Sequence, residues 1–239
     1  MKSFGLLLAA GQSLRMGPYG SKMWIVLQGR PALAWSLENF AAGGRFDGGV
    51  VVVRPEHEAE ILRWLKSYRL NNWVTAPGGR DRYLSVQSGL EALRGQMDPM
   101  DVVLIHDAAR ILVSAEVIDR VREAAGEWGA ALPGLTVTDT VKRVEERDCG
   151  FDVVETIPRL SLRLAQTPQG FRQHVIWEAH RHWHQGVPTD DAEVVEALGH
   201  RVVMVEGDPA NRKLTTPEDI LWFEWRLQNA GHEPDRSGD

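Results

Sequence analysis

The sequence predicts an α/β domain with a mostly parallel, twisted sheet and helices on both faces of that sheet. The first observation is that short apolar runs alternate with segments whose apolar residues recur at helical spacing. The second is size, because 239 residues, 43% of them hydrophobic, are enough to bury a full core. Ligands of such sheets bind beyond the carboxyl ends of the strands, so the loops that follow strands are the places to look for function.

The elements of the first half of the chain follow this alternation. Short apolar runs predict buried strands at Phe4–Ala9, Gly49–Val53, Trp73–Thr75 and Val102–Ile105. Between these strands, the spacing of apolar residues predicts helices at Pro31–Ala42, Glu56–Lys66 and Arg82–Leu93. Ser114 is expected to cap a helix over Ala115–Glu127, which leads into a further strand at Ala130–Leu132.

The alternation is interrupted after Thr136 by a predicted β-hairpin. Thr138–Val144 and Asp152–Ile157 are β-prone and flank the polar segment EERDCG. A two-stranded ribbon is marginally stable alone in water, so the hairpin is expected to pack on something else, with a second subunit as one candidate. On these residues alone, a surface insertion is about equally acceptable.

Regular structure resumes after the hairpin. Helices are predicted near Gln173–Gln185, around Asp190–Leu198 and over Pro217–Asn229, with a strand at Val202–Val205. No linker or internal repeat divides the sequence, so residues 1–229 are expected to form one domain that includes the arm at 137–160. The polar residues 230–239 are predicted to be a flexible tail.

Charge and cysteine content argue against several classes of protein. The net charge of −6 gives no general attraction for nucleic acid, so a nucleotide partner should be small and locally bound. With Cys149 as the one cysteine, neither an intramolecular disulfide nor a cysteine-rich metal site is expected. The sequence shows no signal-peptide pattern and no apolar run near the roughly 18 residues that cross a bilayer. We therefore expect a cytoplasmic protein without a membrane partner.

The segment LLLAAGQSLRMGPYGSK, Leu6–Lys22, contains the first loop that follows a predicted strand. Residues 9–11 (Ala-Ala-Gly) present backbone with little side-chain bulk, so a nucleobase can approach and the amides can donate to anionic oxygens. Arg15 and Lys22 then place two cations near the strand exit, a rigid fork for phosphate and a compact charge. The segment matches neither the Walker pattern nor G-x-G-x-x-G. Considered alone, it is more often a surface loop with two solvated cations.

Three further loops carry polar side chains where function is expected. HDAAR places Asp107 and Arg110 beyond a strand, where the carboxylate can hold Mg²⁺ or accept from a hydroxyl, although such a residue is more often a cap or turn former. GGRDRYLS offers backbone access at its glycines and a hydroxyl at Ser85, or is merely a turn that enters a helix. NRKLTTPED places Lys213 and Thr215 just before a helix start. The four loops in combination predict a site for a polyphosphate and a second anion.

The order and spacing of these motifs resemble the 2-C-methyl-D-erythritol 4-phosphate cytidylyltransferase family across nearly the whole chain. LAAG-x-x-x-R-M-G alone marks only the broad group of sugar-nucleotide transferases. HDAAR with TDTVKRV, QTPQGF and PTDDAEVVEALG is much more specific, and GGRDRYLSV, Lys22 and NRKLTTPED complete the match. The resemblance implies a Rossmann-like nucleotidyltransferase fold with a protruding β-hairpin arm.

The resemblance also implies a reaction. CTP and 2-C-methyl-D-erythritol 4-phosphate would give 4-diphosphocytidyl-2-C-methyl-D-erythritol and pyrophosphate, with Mg²⁺ as cofactor, in the non-mevalonate route to isoprenoid precursors. The acceptor's phosphate would attack the α-phosphate of CTP in line, without a covalent enzyme intermediate. Catalysis would depend mainly on positioning two anions and neutralising the charge that builds up in the transition state.

Each matching position takes its role from the family. The catalytic residues implied are Arg15, Lys22 and Lys213. The residues implied to bind the nucleotide are Ala9, Ala10, Gly11, Gly79, Ser85 and Ala108. The residues implied to bind the acceptor or support its side of the pocket are Asp107, Arg110, Thr140, Arg159, Thr189 and Thr215. Mg²⁺ would be held mainly by the CTP phosphates, with Asp107 as a candidate ligand. Thr140 and Arg159, at the ends of the arm, would reach the acceptor site of a second subunit in a homodimer.

The chain departs from the family's usual residues at Trp24, Arg80, Ile111 and Arg212, none of which removes a phosphate-binding cation. Three alternative functions remain open on the sequence. A ribitol 5-phosphate cytidylyltransferase shares the chemistry but differs in the HDAAR loop and in the arm. A catalytically silent nucleotide-binding homologue would not need to retain the transition-state cations. A metal-dependent glycosyltransferase is expected to carry a D-x-D motif, and HDAAR lacks the second acid.

Overall fold

The computed structural model describes residues 1–11 and 21–229. The catalytic candidate Arg15 and the predicted tail at 230–239 lie outside the described residues. The strands are β1 (Ser3–Leu8), β2 (Val26–Leu27), β3 (Arg30–Pro31), β4 (Gly48–Val53), β5 (Trp73–Pro77), β6 (Val102–Asp107), β7 (Ala130–Thr136), β8 (Val141–Arg147), β9 (Gly150–Ile157), β10 (Arg163–Ala165), β11 (Gln169–Arg172) and β12 (Val203–Glu206). The α-helices are α1 (Ala32–Ser36), which continues as a π-helical segment (Leu37–Ala42), α2 (Glu58–Ser67), α3 (Arg82–Leu93), α4 (Ala115–Trp128), α5 (Gln173–His182), α6 (Asp191–Glu196) and α7 (Pro217–Gln228).

The main sheet has the strand order β10–β7–β11–β6–β1–β4–β5, and β12 pairs with β7. Strands β6, β1, β4 and β5 are mutually parallel, as are β12 and β7, whereas β10 and β11 run antiparallel to their neighbours. The predicted mostly parallel α/β fold is confirmed. Strands β10 and β11 were not predicted, because strands of three and four residues are recognisable mainly through their pairing with distant partners.

The core lies on both faces of this sheet. Successive side chains of a strand point to opposite faces. Leu7 of β1 accordingly packs in an apolar cluster with Phe40 and Ile61, whereas Leu6 packs in a second cluster with Val86 of α3. The near-continuous apolar runs of β1, β4 and β6 follow from this, since a parallel strand covered on both faces buries every side chain.

Two helix starts follow from their capping residues. Asp81 precedes α3 and accepts from the amide of Leu84 at 2.8 Å, and Ser114 precedes α4 and accepts from the amide of Val117 at 3.4 Å. The predicted Ser114 cap and the predicted range of α3 are both confirmed. Within residues 1–11 and 21–229, no helix combines the length and the apolar content of a membrane span.

Strands β8 and β9 form the predicted hairpin as a separate two-stranded antiparallel sheet. The strands extend into EERDCG and leave a tight turn before Gly150, whose φ of 137° is unfavourable for other residues. The first strand begins at Val141 rather than at the predicted Thr138. Phe151 and Val153 remain 68% and 60% exposed, so this arm carries apolar surface that the described chain does not cover.

Candidate active site

The loops that follow the parallel strands lie side by side at one edge of the sheet. The ladder hydrogen bonds continue one residue past the strand ends, since the amide of Ala9 donates to Val52 at 2.8 Å and that of Ala108 to Leu8 at 3.0 Å. The exits of β1, β4 and β6 are therefore held in register, at the carboxyl edge where ligands of such sheets bind.

A cavity of about 620 Å³ opens at this edge. Residues of all four motif loops line it: Ala9, Ala10, Gly11, Lys22, Gly79, Ser85, Asp107 and Lys213. Further charged side chains that line it are Arg54, Glu56, Arg80, Asp81 and Arg82. The basic side chains outnumber the acidic ones, and the volume is in the range of small-molecule sites. The cavity therefore suits an anionic ligand of nucleotide size.

Small residues bring the β1 exit and the GGRDRYLS loop into direct contact. A Cβ atom on Gly78 would lie 2.2 Å from the Cβ of Ala10, so only glycine allows this approach. Ser85 links the two ends of the loop, because its hydroxyl donates to the carbonyl of Asp81 at 2.8 Å and accepts from the amide of Gly79 at 3.0 Å. The segment is both a turn that enters α3 and one wall of the cavity.

Asp107 is held between two cations. Its Oδ2 accepts from Lys213 Nζ at 2.7 Å, and its Oδ1 accepts from Arg82 Nε at 3.2 Å. Burial alone would raise the pKa of Asp107, but Arg82 and Lys213 outweigh burial and hold that pKa well below its usual range. The carboxylate is therefore ionised at neutral pH, and it fixes the ammonium group of Lys213 at the cavity wall.

Arg82 extends this network to a second carboxylate. Its Nη2 forms an ion pair with Asp191 Oδ2 at 2.8 Å, and the side chain of Asp191 is 1% exposed. Burial alone would lower the pKa of Arg82, but Asp191 and Asp107 raise it above its ordinary value. Neither Arg82 nor Asp191 was predicted as a site residue. The adjacent acids Asp190 and Asp191 are the signal that the sequence offers for this residue. One acid is enough to cap α6, and Asp190 does so by accepting from the amide of Glu193 at 2.9 Å, so Asp191 is left for another role.

A buried histidine supports the backbone at Asp107. His106 is fully buried, and burial lowers its pKa to about 4, so it is neutral at pH 7. Its Nε2 donates to the carbonyl of Arg110 at 3.1 Å, which leaves Nδ1 to accept from Thr167 Oγ1 at 2.9 Å. Thr167 Oγ1 in turn accepts from the amide of Asp107 at 3.1 Å. This chain of hydrogen bonds fixes the HDAAR loop from behind the cavity.

Two predicted acceptor residues pack close to the network without lining the cavity. Arg110 donates to the carbonyl of Asn211 at 2.8 Å, and burial lowers the pKa of its guanidinium. Thr215 donates from its hydroxyl to the carbonyl of Lys213 at 3.1 Å, and its amide donates to Asp219 at 2.7 Å. Both residues thereby order the segment that carries Lys213.

The remaining predicted residues lie away from the cavity wall. The side chain of Ala108 is buried in the core, and its neighbour Ala109 lines the cavity instead. Thr189 is exposed, and its hydroxyl donates to Glu193 at 2.8 Å. Thr140 and Arg159 flank the exposed arm, where Arg159 donates to the carbonyl of Thr138. Neither Thr140 nor Arg159 lines the cavity of its own chain.

Three of the residues that depart from the family's usual pattern have structural roles. Ile111 is fully buried, and its carbonyl accepts from Asn39 at 2.7 Å, which holds the turn after HDAAR in place. Arg212 pairs with Asp219 at 2.7 Å. Arg80 is 85% exposed at the cavity and lies 3.4 Å from Asp81.

The donor set fits a magnesium ion that is held mainly by a ligand. In the part of the chain that the structure describes, no group of three or more metal-binding side chains is assembled. Both oxygens of Asp107 accept from Lys213 and Arg82, so a directly bound Mg²⁺ would compete with one of these cations. An ion carried mainly by the phosphates of a ligand would avoid this competition.

A mostly parallel sheet with a backbone-lined, positively charged cavity at its strand ends and a protruding arm defines a nucleotidyltransferase domain. The chain belongs to the 2-C-methyl-D-erythritol 4-phosphate cytidylyltransferase family, whose model matches residues 4–229. A crystal structure of 4-diphosphocytidyl-2C-methyl-D-erythritol synthase from Anaerococcus prevotii superposes with a TM-score of 0.81 at 28% identity, covering 95% of this chain and 98% of that one.

Curated relatives include both short and long proteins. The 2-C-methyl-D-erythritol 4-phosphate cytidylyltransferase of Geobacillus thermodenitrificans is 41% identical over 92% of this chain and 94% of its own length. The bifunctional enzyme IspD/IspF of Caulobacter vibrioides is 43% identical over 92% of this chain but only 55% of its own length. The chain therefore spans about half the length of that relative.

Proposed function

We propose that the protein transfers a cytidylyl group from CTP to 2-C-methyl-D-erythritol 4-phosphate, giving 4-diphosphocytidyl-2-C-methyl-D-erythritol and pyrophosphate. The observation that carries this proposal is the convergence of Lys22, Asp107 and Lys213 on one cavity that also exposes the backbone of residues 9–11. Family membership over residues 4–229 supports the same reaction, and with it a place in isoprenoid precursor biosynthesis.

The two sides of the cavity have different chemistry. Residues 9–11 and 78–79 offer backbone and small side chains, with the hydroxyl of Ser85 among them, which suits a flat base and a ribose. Lys22 and Lys213 offer positive charge, which suits the phosphates. In the proposal, CTP lies across both sides, with its α-phosphate near the lysines.

The mechanism needs charge neutralisation more than proton transfer. The acceptor is a phosphate monoester and is already anionic at neutral pH, so its attack on the α-phosphate requires no strong base. Lys22 and Lys213 stabilise the charge that develops as the bond to pyrophosphate breaks. Asp107 is ionised and acts by holding Lys213 Nζ at 2.7 Å. Arg15 is proposed to act with Lys22.

Magnesium is part of the proposal as the ion that accompanies CTP. When bound, it would neutralise phosphate oxygens, and Asp107 is the candidate protein ligand, one that would have to give up a contact with Lys213 or Arg82. The protein's own part is to supply cations around the triphosphate, which fits the basic excess of the cavity.

We further propose that the protein is a homodimer in which each arm completes the acceptor side of the partner's site. Asp107, Arg110, Thr189 and Thr215 serve the acceptor side from one chain, and Thr140 and Arg159 serve it from the other. The exposed apolar side chains of the arm support packing against a second copy, since monomeric proteins rarely expose such surface contiguously. A cytoplasmic protein without nucleic-acid or membrane partners remains our expectation.

Arg159→Ala is expected to raise KM for the acceptor by roughly 10- to 100-fold, the effect of losing one charge-assisted hydrogen bond, while CTP affinity stays within about twofold. Mixing this variant with Lys22→Ala chains should restore activity, because one site of each mixed dimer then has both residues. Pyrophosphate release by verified mixed dimers, at an acceptor concentration near the wild-type KM, measures this. Mixed dimers no more active than the two parents would contradict a site shared between subunits.

The test of the proposed function is pyrophosphate release from CTP and Mg²⁺, with methylerythritol 4-phosphate and ribitol 5-phosphate compared side by side. We expect release that depends on methylerythritol 4-phosphate. A preference for ribitol 5-phosphate would keep the chemistry and change the acceptor. Silence with both acceptors while CTP still binds would indicate a non-catalytic nucleotide-binding homologue.

A further inference from the structure

Two short turns that line the cavity are joined by the side chains of Trp24 and His57. The indole Nε1 of Trp24 donates to His57 Nε2 at 3.0 Å, and the two rings lie 4.4 Å apart with a tilt of 47°. Trp24 ends the 3-10 turn Lys22–Trp24, and His57 ends the 3-10 turn Pro55–His57. Lys22 and Pro55 both line the cavity.

The turn that carries Lys22 is a single short turn. Among the described residues, its backbone hydrogen bonds run from Trp24 to Ser21 at 3.0 Å and from Ile25 to Lys22 at 3.4 Å, and no side-chain hydrogen bond caps its start. A single 3-10 turn with such bonds does not fix its own position. Within the described part of the chain, the side chain of Met23, which is 2% exposed in the core, and that of Trp24, which packs against the same core, help to anchor it.

The turn that carries His57 is attached to the sheet. It follows β4 directly, and the amide of His57 donates to the carbonyl of Arg54 at 3.0 Å. Arg54 Nε in turn donates to the carbonyl of Ala10 at 3.4 Å, which links this turn to the backbone at the β1 exit. His57 is therefore held in place by the sheet, and its contact with Trp24 can hold the turn of Lys22 in place.

We propose that the contact between Trp24 and His57 is a clasp that positions Lys22 toward the phosphates of a bound nucleotide. Trp24 and His57 do not line the cavity, so they act as positioning residues through Lys22. The assignment of Lys22 to the triphosphate rests on the proposed function. The effect of the clasp on nucleotide affinity can be measured without turnover.

The test compares the affinities of CTP and cytidine, measured by calorimetry, for Trp24→Phe and His57→Phe. A hydrogen bond to a charged group contributes about 1.5–3 kcal/mol, so each variant should bind CTP at least about 10-fold more weakly if Lys22 loses its contact with the phosphates. Cytidine carries no phosphate for Lys22 to reach, and its affinity should stay within about twofold of the wild-type value. His57→Gln should restore CTP binding, because its amide oxygen can accept from the indole.

The losses of CTP affinity in single and double variants distinguish a positioning role from a general disturbance of the fold. The Trp24→Phe/His57→Phe double variant should bind CTP no more weakly than the poorer single variant, since both remove one contact. In a Lys22→Ala background, Trp24→Phe should add little further loss. Trp64→Phe is the matched control, because Trp64 packs on Trp24 with ring centroids 5.5 Å apart and should leave CTP affinity unchanged.

Unchanged CTP affinity in both single variants, losses that multiply in the double variant, or an equal loss for cytidine would each overturn the clasp. Thermal melts of every variant confirm that the compared proteins are folded. Wild-type turnover is measured in parallel. A wild-type protein that binds CTP but releases no pyrophosphate would refute the proposed function, and the affinities would still decide the clasp.

Discussion

Replacing Lys22 with alanine is expected to lower kcat by about 10²- to 10³-fold, the typical effect of removing one preorganised charge contact from a transition state. Lys22 lines the cavity from a short turn at its wall, and the proposed reaction builds negative charge on phosphate oxygens there. Its loss should hardly change the unfolding midpoint, because its side chain is only partly buried. Pyrophosphate release at saturating CTP and acceptor measures kcat, and thermal denaturation measures stability.

Two further variants make this prediction specific. Lys213→Ala should lower kcat similarly but also reduce stability, because it removes a partner 2.7 Å from the buried carboxylate of Asp107. Lys66→Ala, at the exposed end of α2, is the matched control and should leave both quantities unchanged. A Lys22→Ala enzyme with wild-type kcat would remove Lys22 from the proposed catalytic role.

Much of the fold follows from local sequence signals. The range of α3 is predicted correctly from the spacing of its apolar residues, and the structure adds a cap at its start, where Asp81 accepts from the amide of Leu84. The central strands were predicted because strands covered on both faces need continuous apolar runs. Strand β11 is not predicted, because Gln169–Arg172 forms a strand by pairing with β6 and β7. Both partners are distant in sequence, so no local pattern indicates the pairing.

The candidate site was predicted as a set of loops but not as a network of charges. The parallel sheet brings Lys22, Asp107 and Lys213 to one edge, so topology alone predicts that they meet. The position of Arg82 between two carboxylates depends on how α3 and α6 pack, and no local pattern encodes that packing. The contact between Trp24 and His57 is likewise tertiary. The sequence thus indicates which loops form the candidate site, and the structure shows which side chains fix the positions of these loops.

Arg82→Met is expected to lower the free energy of unfolding by about 3–5 kcal/mol at pH 7, because removing one partner of a buried ion pair leaves its counter-charge uncompensated. Methionine keeps most of the volume, so the loss reports charge rather than a cavity. In the wild type, Arg82 lies 2.8 Å from Asp191, whose side chain is 1% exposed, and 3.2 Å from Asp107. Urea denaturation measures the change. Arg94→Met, at the exposed end of the same helix, is the matched control and should change stability by less than about 0.5 kcal/mol.

The pH dependence of the free energy of unfolding tests whether Arg82 stabilises the fold through its charge. Arg82 and Lys213 lower the pKa of Asp107 in the folded state. The ionised carboxylate therefore stabilises the wild type at pH values above the pKa of about 3.9 that an aspartate has in the unfolded chain. This stabilisation is lost as the pH falls toward the folded-state pKa. Removing Arg82 takes away part of this contribution, so the difference between wild type and variant should be largest at neutral pH and shrink below about pH 4. Adding Asp191→Asn to Arg82→Met should recover part of the loss, since it removes the buried charge left without its partner. A loss of the same size at pH 4 and pH 7, without recovery in the double variant, would mean that Arg82 stabilises the fold by packing and not by its charge.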